Sequence, residues 1–336
     1  MKSQPKWVLL GADTLVGREI RELIDGHKLP VRLRACGSAA DQRVLSLAAE
    51  DNFDVLEELT AELIADAGAV FLAGSADQSA LAIQLAKDSK ANPVFIDVAG
   101  HFDGVSKSSV RAPAFERTPA PVTPAHIHVV AHPAAVALAT VLSAIHAGHP
   151  IRNSVATVFE PASARGSAGV DELHQQALHL FSFQSLPTKV FGAQASFNVL
   201  PRLGPEAESP LESGELTIRK HQSLLLRSRK VPSASVRLVQ APVFSGYCAS
   251  LWVEFKFRPG NDEIQALLTA AGVEFWTAED GALTNSSLAG QSGILASAIR
   301  EDQDNPRASW LWLACDNIRE TALNAIALAG LSAKEA

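Results

Sequence analysis

Short apolar runs alternate with amphipathic stretches along the first third of the chain. Lys6 to Leu10 is apolar enough for a buried strand, and Arg18-Glu19-Ile20-Arg21-Glu22-Leu23-Ile24 after it repeats its apolar positions at helical spacing. Val31 to Cys36 reads as a second strand, Ala69 to Gly74 as a third that ends in a glycine turn, Ser79 to Lys87 as a helix and Val94 to Asp97 as a strand. Such alternation implies a parallel sheet with covering helices. Residues 104–125, rich in Pro, Ser and Ala, are expected to form a long loop.

Beyond the loop, His126-Ile127-His128 alternates into a strand that stops at Pro133, and Val136 to Ala147 follows as an apolar helix. Ile151 to Phe159 is a strand opening a second part of the chain. There the pattern predicts helices at Glu215–Arg229 and Asn261–Ala271, and a strand in two parts between Ser235 and Tyr247. Strands follow at Ser250–Phe257, Gly293–Arg300 and Ser309–Cys315, and a helix from Ile318 to Leu331 closes the chain.

The first strand, turn and helix carry candidate chemistry. Gly11-Ala12-Asp13-Thr14-Leu15-Val16-Gly17 is a glycine turn between strand and helix, the way a dinucleotide-binding domain begins. Backbone N–H groups at the helix N-terminus can approach a pyrophosphate there, and the helix dipole favours its charge. Gly11, Asp13, Thr14, Leu15, Val16, Gly17 and, after the third strand, Gly74 are therefore candidate NAD or NADP contacts. Asp13 sets a carboxylate beside the expected phosphate, and Thr14 a β-branched side chain where the backbone comes closest, so binding is expected to be weakened. His126-x-His128 can ligate a metal but lacks a third ligand at recognisable spacing, so no metal site is assigned.

Composition narrows the partners. The 336 residues suffice for two domains, and 47% apolar with 19% charged residues is ordinary for a globular chain. A net charge of −7 without a basic stripe argues against nucleic acid. No run approaches the ~20 apolar residues of a membrane span and no signal pattern opens the chain, so the cytoplasm is expected. Cys36, Cys248 and Cys315 are odd in number and far apart, and read as small buried hydrophobes. No Gly-x-Ser-x-Gly elbow occurs to support a serine hydrolase.

The ordered landmarks Gly11–Gly17, Phe71-Leu72-Ala73-Gly74, the Pro133 junction, Phe197-Asn198-Val199-Leu200-Pro201, Pro242-Val243 and Asp316-Asn317 carry a resemblance over roughly residues 6–330. The chain resembles the aspartate-semialdehyde dehydrogenase family, and within it the Usg-type paralogues that lack the catalytic cysteine. The resemblance implies an α/β architecture: a Rossmann-like NAD(P)-binding domain (1–133), an α+β dimerisation and substrate domain of glyceraldehyde-phosphate-dehydrogenase type (134–315), and a C-terminal segment (316–336) returning to the first. It also implies a homodimer and a possible small-molecule ligand.

Residue by residue, the resemblance puts other chemistry where the family keeps its site. The family's Ala-x-Pro-Asn-Cys aligns its nucleophile with Ala135, whose methyl cannot form a thiohemiacetal. The orienting glutamine aligns with Glu160, the carboxylate-binding arginine with Gln240 and the acid/base histidine with Tyr247. The arginine of the phosphate site aligns with Asp103, and the one that grips the NADP 2′-phosphate with Ser38. The Glu-x-x-Lys pair is not reproduced near Glu212 or Glu215, and Asp316-Asn317 is expected as a helix cap. Cys248 is expected to point away from Tyr247 and not to replace the nucleophile.

Three functions follow. The first is a catalytically inactive paralogue of the NADP-dependent oxidoreductase that makes L-aspartate 4-semialdehyde. The second is an oxidoreductase of altered substrate with Tyr247 as proton donor, its pKa lowered by a neighbouring cation. The third is an interaction or regulatory protein pairing through the inherited dimer surface.

Overall fold

The computed structural model describes residues 4–37, 47–49, 52–54, 56–116, 122–124, 126–277 and 279–331. Ser38 lies outside them. The chain divides into two compact units, Met1–Ala131 with Thr321–Ala336, and His132–Glu320. The divisions fall at Ala131/His132 and Glu320/Thr321, against the expected 133/134 and 315/316.

The first unit contains β1 (Lys6–Leu10), α1 (Leu15–Gly26), β2 (Arg32–Cys36), β3 (Leu47–Ala49), β4 (Asn52–Asp54) and α2 (Ala61–Ala65). It continues with β5 (Ala69–Leu72), α3 (Ala76–Asp88), β6 (Val94–Asp97), β7 (Ser108–Arg111) and β8 (Ile127–Val130). Six strands form one parallel sheet in the order β2-β1-β5-β6-β8-β7. Its central strands β1 and β5 are nearly continuously apolar because both faces are covered. Trp7 and Leu9 face a core with Ile20, Leu23 and Phe71, whereas Val8 and Leu10 face another with Leu63, Ile64 and Ala82. Trp7 meets Phe71 edge-on, ring centroids 5.3 Å apart.

The loop expected over residues 104–125 contains β7, which pairs in parallel with β8 from Ser108↔Ile127 to Arg111↔Val130. Only its last residue, Arg111, is buried. That edge position explains why the sequence of β7 lacks the apolar run of a central strand. No helix among the described residues is long and apolar enough to cross a membrane.

The second unit contains α4 (Pro133–Gly148), β9 (Ile151–Glu160), α5 (Gly166–Phe181), α6 (Leu211–Arg227), β10 (Ser235–Gln240) and β11 (Tyr247–Phe255). α7 (Asn261–Ala270), β12 (Glu274–Phe275), β13 (Leu295–Glu301), β14 (Ala308–Cys315) and α8 (Asn317–Leu328) complete the chain. The sheet runs β10-β9-β11-β14-β13-β12 and is mixed, with β11 antiparallel to both β9 and β14. α6 begins at Leu211 rather than Glu215 because Pro210 starts the helix without needing an amide donor. From Thr321 onward α8 belongs to the first unit, where Ala322, Ala325 and Ile326 join the Trp7 core.

The turn between β1 and α1 depends on absent side chains. Gly11 has φ +68°, and a Cβ on Gly17 would stand 2.1 Å from the Gly11 carbonyl oxygen. Gly17→Ala is expected to cost at least ~2 kcal/mol, since backbone must move, whereas Gly26→Ala, with open space around it, should be neutral or stabilising by up to ~1 kcal/mol. Denaturant unfolding of both variants measures the difference.

Candidate functional site

The glycine turn lies at the C-terminal edge of the parallel sheet. Thr14 is the N-cap of α1: its hydroxyl accepts from the Gly17 amide (3.1 Å) and donates to the Gly11 carbonyl (2.7 Å). The threonine thus occupies one of the amides that a helix N-terminus otherwise offers an anion. Leu15 and Val16 form the first turn of α1. Gly74 follows β5, and its side-chain space is taken by Gln78, whose carboxamide reaches across to the Gly37 carbonyl. Asp103 sits in the turn after β6, near Gly100 and Gly104, both at positive φ. His126 and His128 have ring centroids 5.2 Å apart but bond separately, to Ser109 and Thr123. Among the described residues no group of three or more potential ligands gathers to hold a metal.

The second unit holds a cleft of about 740 Å³ whose wall includes His132, Glu160, Arg165, Gly214, Thr217 and Tyr247. Three chain features deliver these groups. His132 ends the run after β8 as the N-cap of α4, with Pro133 in the first turn. Glu160 is the last residue of β9, and Arg165 closes a tight 3-10 turn, Ala162–Arg165. Tyr247 opens β11 after Gly246, which has φ +83°.

That last turn is held from a distance. Asn317 accepts from the Gly246 amide (2.9 Å) and its amide group donates to the Ser163 hydroxyl (3.1 Å). Only Asp316 acts as the expected cap, accepting from the amides of Ile318 and Arg319. Asn317 is instead a buried tie between the Tyr247 turn and the turn carrying Arg165.

His132 and Tyr247 make the central contact, with Nε2 and the phenol oxygen 3.2 Å apart. Nδ1 of His132 accepts from the Ala134 amide (3.2 Å), so that nitrogen carries a lone pair and Nε2 carries the proton. Burial, reinforced by His221, pushes the imidazole down to about 3, which keeps it neutral. The Nε2–H therefore donates to Tyr247, and the phenolic proton remains to be donated elsewhere. The same turn is braced by the His132 amide, which donates to His221 Nδ1 (2.9 Å).

Tyr247 is itself pushed well above 10 by burial and by the charge of Glu160. The expected lowering by a cation is outweighed: Arg165 acts downward, but less than burial and Glu160 act upward. Arg165 donates to Glu160 Oε1 (3.0 Å) and to the Ser209 carbonyl (2.9 Å). Burial raises the Glu160 carboxyl above its ordinary value, and Arg165 only partly offsets it.

The other aligned residues take different places. Gln240 is fully buried and does not line the cleft; its amide group donates to the carbonyls of Glu160 and Ala241. It supports the strand end that carries Glu160. Ala135 is also fully buried, in the first turn of α4. Glu215 accepts from the Leu238 amide, and α6 presents Gly214 and Thr217 to the cleft instead. Cys248 packs with Leu283, Leu288 and Leu295, and burial pushes its thiol to about 12. His132, Arg165 and His221 were not singled out by sequence. A histidine directly before a helix-starting proline is the signal by which the first could have been found.

Comparison with known proteins fits this geometry. The family model for the semialdehyde dehydrogenase dimerisation domain matches residues 142–320. The chain belongs to the semialdehyde dehydrogenase family. Its relatives include aspartate-semialdehyde dehydrogenase of Rickettsia bellii, 30% identical over 200 residues, which are 58% of this chain and 58% of that protein. The match thus spans under three fifths of that enzyme's length. A USG-1 protein homolog of Pseudomonas aeruginosa is 27% identical over 99% of both chains. The fold is that of aspartate semialdehyde dehydrogenase II of Vibrio cholerae, with TM-score 0.78 and 20% identity over 97% of each chain.

The suppressed basicity of His132 has a consequence for stability. The unfolded chain takes up this proton near pH 6.5 and the folded chain only near 3, so the folded state loses stability as pH falls between them. His132 alone should cost about 2 kcal/mol between pH 7 and pH 5. His132→Asn keeps a capping side chain and removes the titration. Urea unfolding at both pH values should show the variant's stability falling less by about that amount.

Proposed function

We propose that this chain is a catalytically silent member of its family that binds a small molecule in the cleft of the second unit instead of oxidising an aldehyde through a thioester. The observation that carries the reading is the locked pair at the cleft wall. Covalent aldehyde oxidation needs a thiolate and a base that takes its proton. Ala135 supplies neither, His132 presents a protonated Nε2 with its other nitrogen engaged, and Tyr247 holds its proton far above neutrality. Cys248, with its thiol near 12, is ionised to only about one part in 10⁵ at pH 7, and Cys315 is raised well above its usual value.

The alternative with Tyr247 as proton donor in a hydride transfer is weaker, since its hydroxyl is pushed up and not down. The first unit is read as a weakened NAD(P) site, with Thr14 occupying the Gly17 amide and a carboxylate at Asp13. A homodimer is proposed on the matched dimerisation domain and on the exposed apolar group Leu178, Phe181, Phe183, Phe197 and Val199. The same surface would serve pairing with an active relative. Three free buried cysteines suit the cytoplasm.

Purified protein, supplied with aspartate semialdehyde, phosphate and NADP, is expected to form NADPH at the no-enzyme rate. Ala135→Cys should do the same, because the new thiol gains no base. Turnover in either protein overturns the reading. Calorimetry is expected to detect no NADP binding tighter than about 1 mM, and sedimentation should give twice the chain mass.

A further inference from the structure

Two polar groups of the cleft are left with one unfilled bond each, and they are of opposite kinds. Tyr247 accepts from His132 Nε2–H, so its own hydroxyl proton is available to the cleft it lines. Glu160 gives Oε1 to Arg165, while among the described residues no donor reaches Oε2. Oε2 lies beside Gly214, where even a Cβ would stand only 3.5 Å away, so the missing side chain keeps the oxygen accessible. β9 and β11 run antiparallel with Cys248 opposite Phe159, so the next residues along, Tyr247 and Glu160, stand opposite one another at the strand ends, and both line the cleft. The site therefore offers one donor and one acceptor side by side.

Charge decides what that pair takes. A carboxylate has two acceptors and no donor, so it satisfies Tyr247 and sets an oxygen against Glu160 Oε2. The deepest cation, Arg165, is already ion-paired with Glu160: Nη2 bonds Glu160, Nη1 bonds the Ser209 carbonyl, and Nε is buried away from the cleft without a partner. Glu206 and Glu208 at the same cleft outnumber Lys189 there. A primary carboxamide matches both groups: its oxygen accepts from Tyr247 and its NH2 donates to Glu160.

Building on the silent-member reading, the geometry points to a free small molecule bearing a primary carboxamide as the ligand of this cleft, with Tyr247 as its donor and Glu160 Oε2 as its acceptor. Leaving one buried polar group unpaired costs about 1–3 kcal/mol, so the corresponding acid should bind roughly tenfold or more weakly. Glu160→Gln gives a sharper consequence. Arg165 can bond only the amide oxygen of the new side chain, which turns its NH2 toward the cleft and makes the pair two donors. That variant should prefer the acid.

The test measures affinities of acetamide, L-asparagine and L-glutamine against acetate, L-aspartate and L-glutamate by ligand-observed NMR on the full chain. The expected result is tighter binding of each amide than of its acid by wild type, reversal in Glu160→Gln, and a loss of about fivefold to tenfold in amide affinity in Tyr247→Phe. Wild-type preference for the acids, binding of neither series, or unchanged preference in a folded Glu160→Gln overturns the assignment. Should circular dichroism show that Glu160→Gln does not fold, Tyr247→Phe decides: amide affinity equal to wild type overturns it. NADPH formation in the dehydrogenase assay would overturn the silent-member reading independently of these affinities.

Discussion

The bond from the Ala134 amide to His132 Nδ1 is the constraint on which the second unit's chemistry rests. It is first a helix cap, satisfying one of the amides that α4 cannot pair internally. Because a backbone N–H can only donate, the cap also fixes the imidazole tautomer. The tautomer then fixes the direction of the bond to Tyr247, and that direction leaves the phenol a donor. A local requirement of helix formation is thereby carried through two side chains into the cleft, without any group that must change protonation near neutral pH.

Around this pair, buried polar side chains are used mostly on backbone. Gln240 supports the strand end at Glu160, Asn317 ties two turns together, and Glu172 and Gln176 of α5 accept from the amides of the 190–196 segment. Such bonds are worth little singly but are costly to leave unmade. They hold the walls of the cleft in place through backbone groups. Ala135 is a fully buried core residue of α4.

The central strands of the first unit were legible because a sheet covered on both faces writes itself as unbroken apolar runs, as Val8-Leu9-Leu10 and Val70-Phe71-Leu72 do, whereas the short helix α2 was not read. β7 was not, because an edge strand with one buried residue has no such run. Of the residues aligned with the family, Glu160 and Tyr247 line the cleft while Gln240 turns into the core, since a residue's chain position does not say which way its side chain turns. His132 and Arg165 escaped because their roles come from partners far along the chain, Tyr247 and Ser209. Asn317 was half legible: the sequence pattern indicated a cap, and its neighbour Asp316 provides it.

The two units differ in how the chain supplies them. The second is one continuous stretch, His132–Glu320, whereas the first needs residues from both ends. Ala322, Ala325 and Ile326 belong to the core around Trp7 and Phe71. During synthesis the parallel sheet leaves the ribosome first yet has one face without its final covering until the last segment follows. The second unit has all its residues before that moment, so the order of completion is the reverse of the order of emergence.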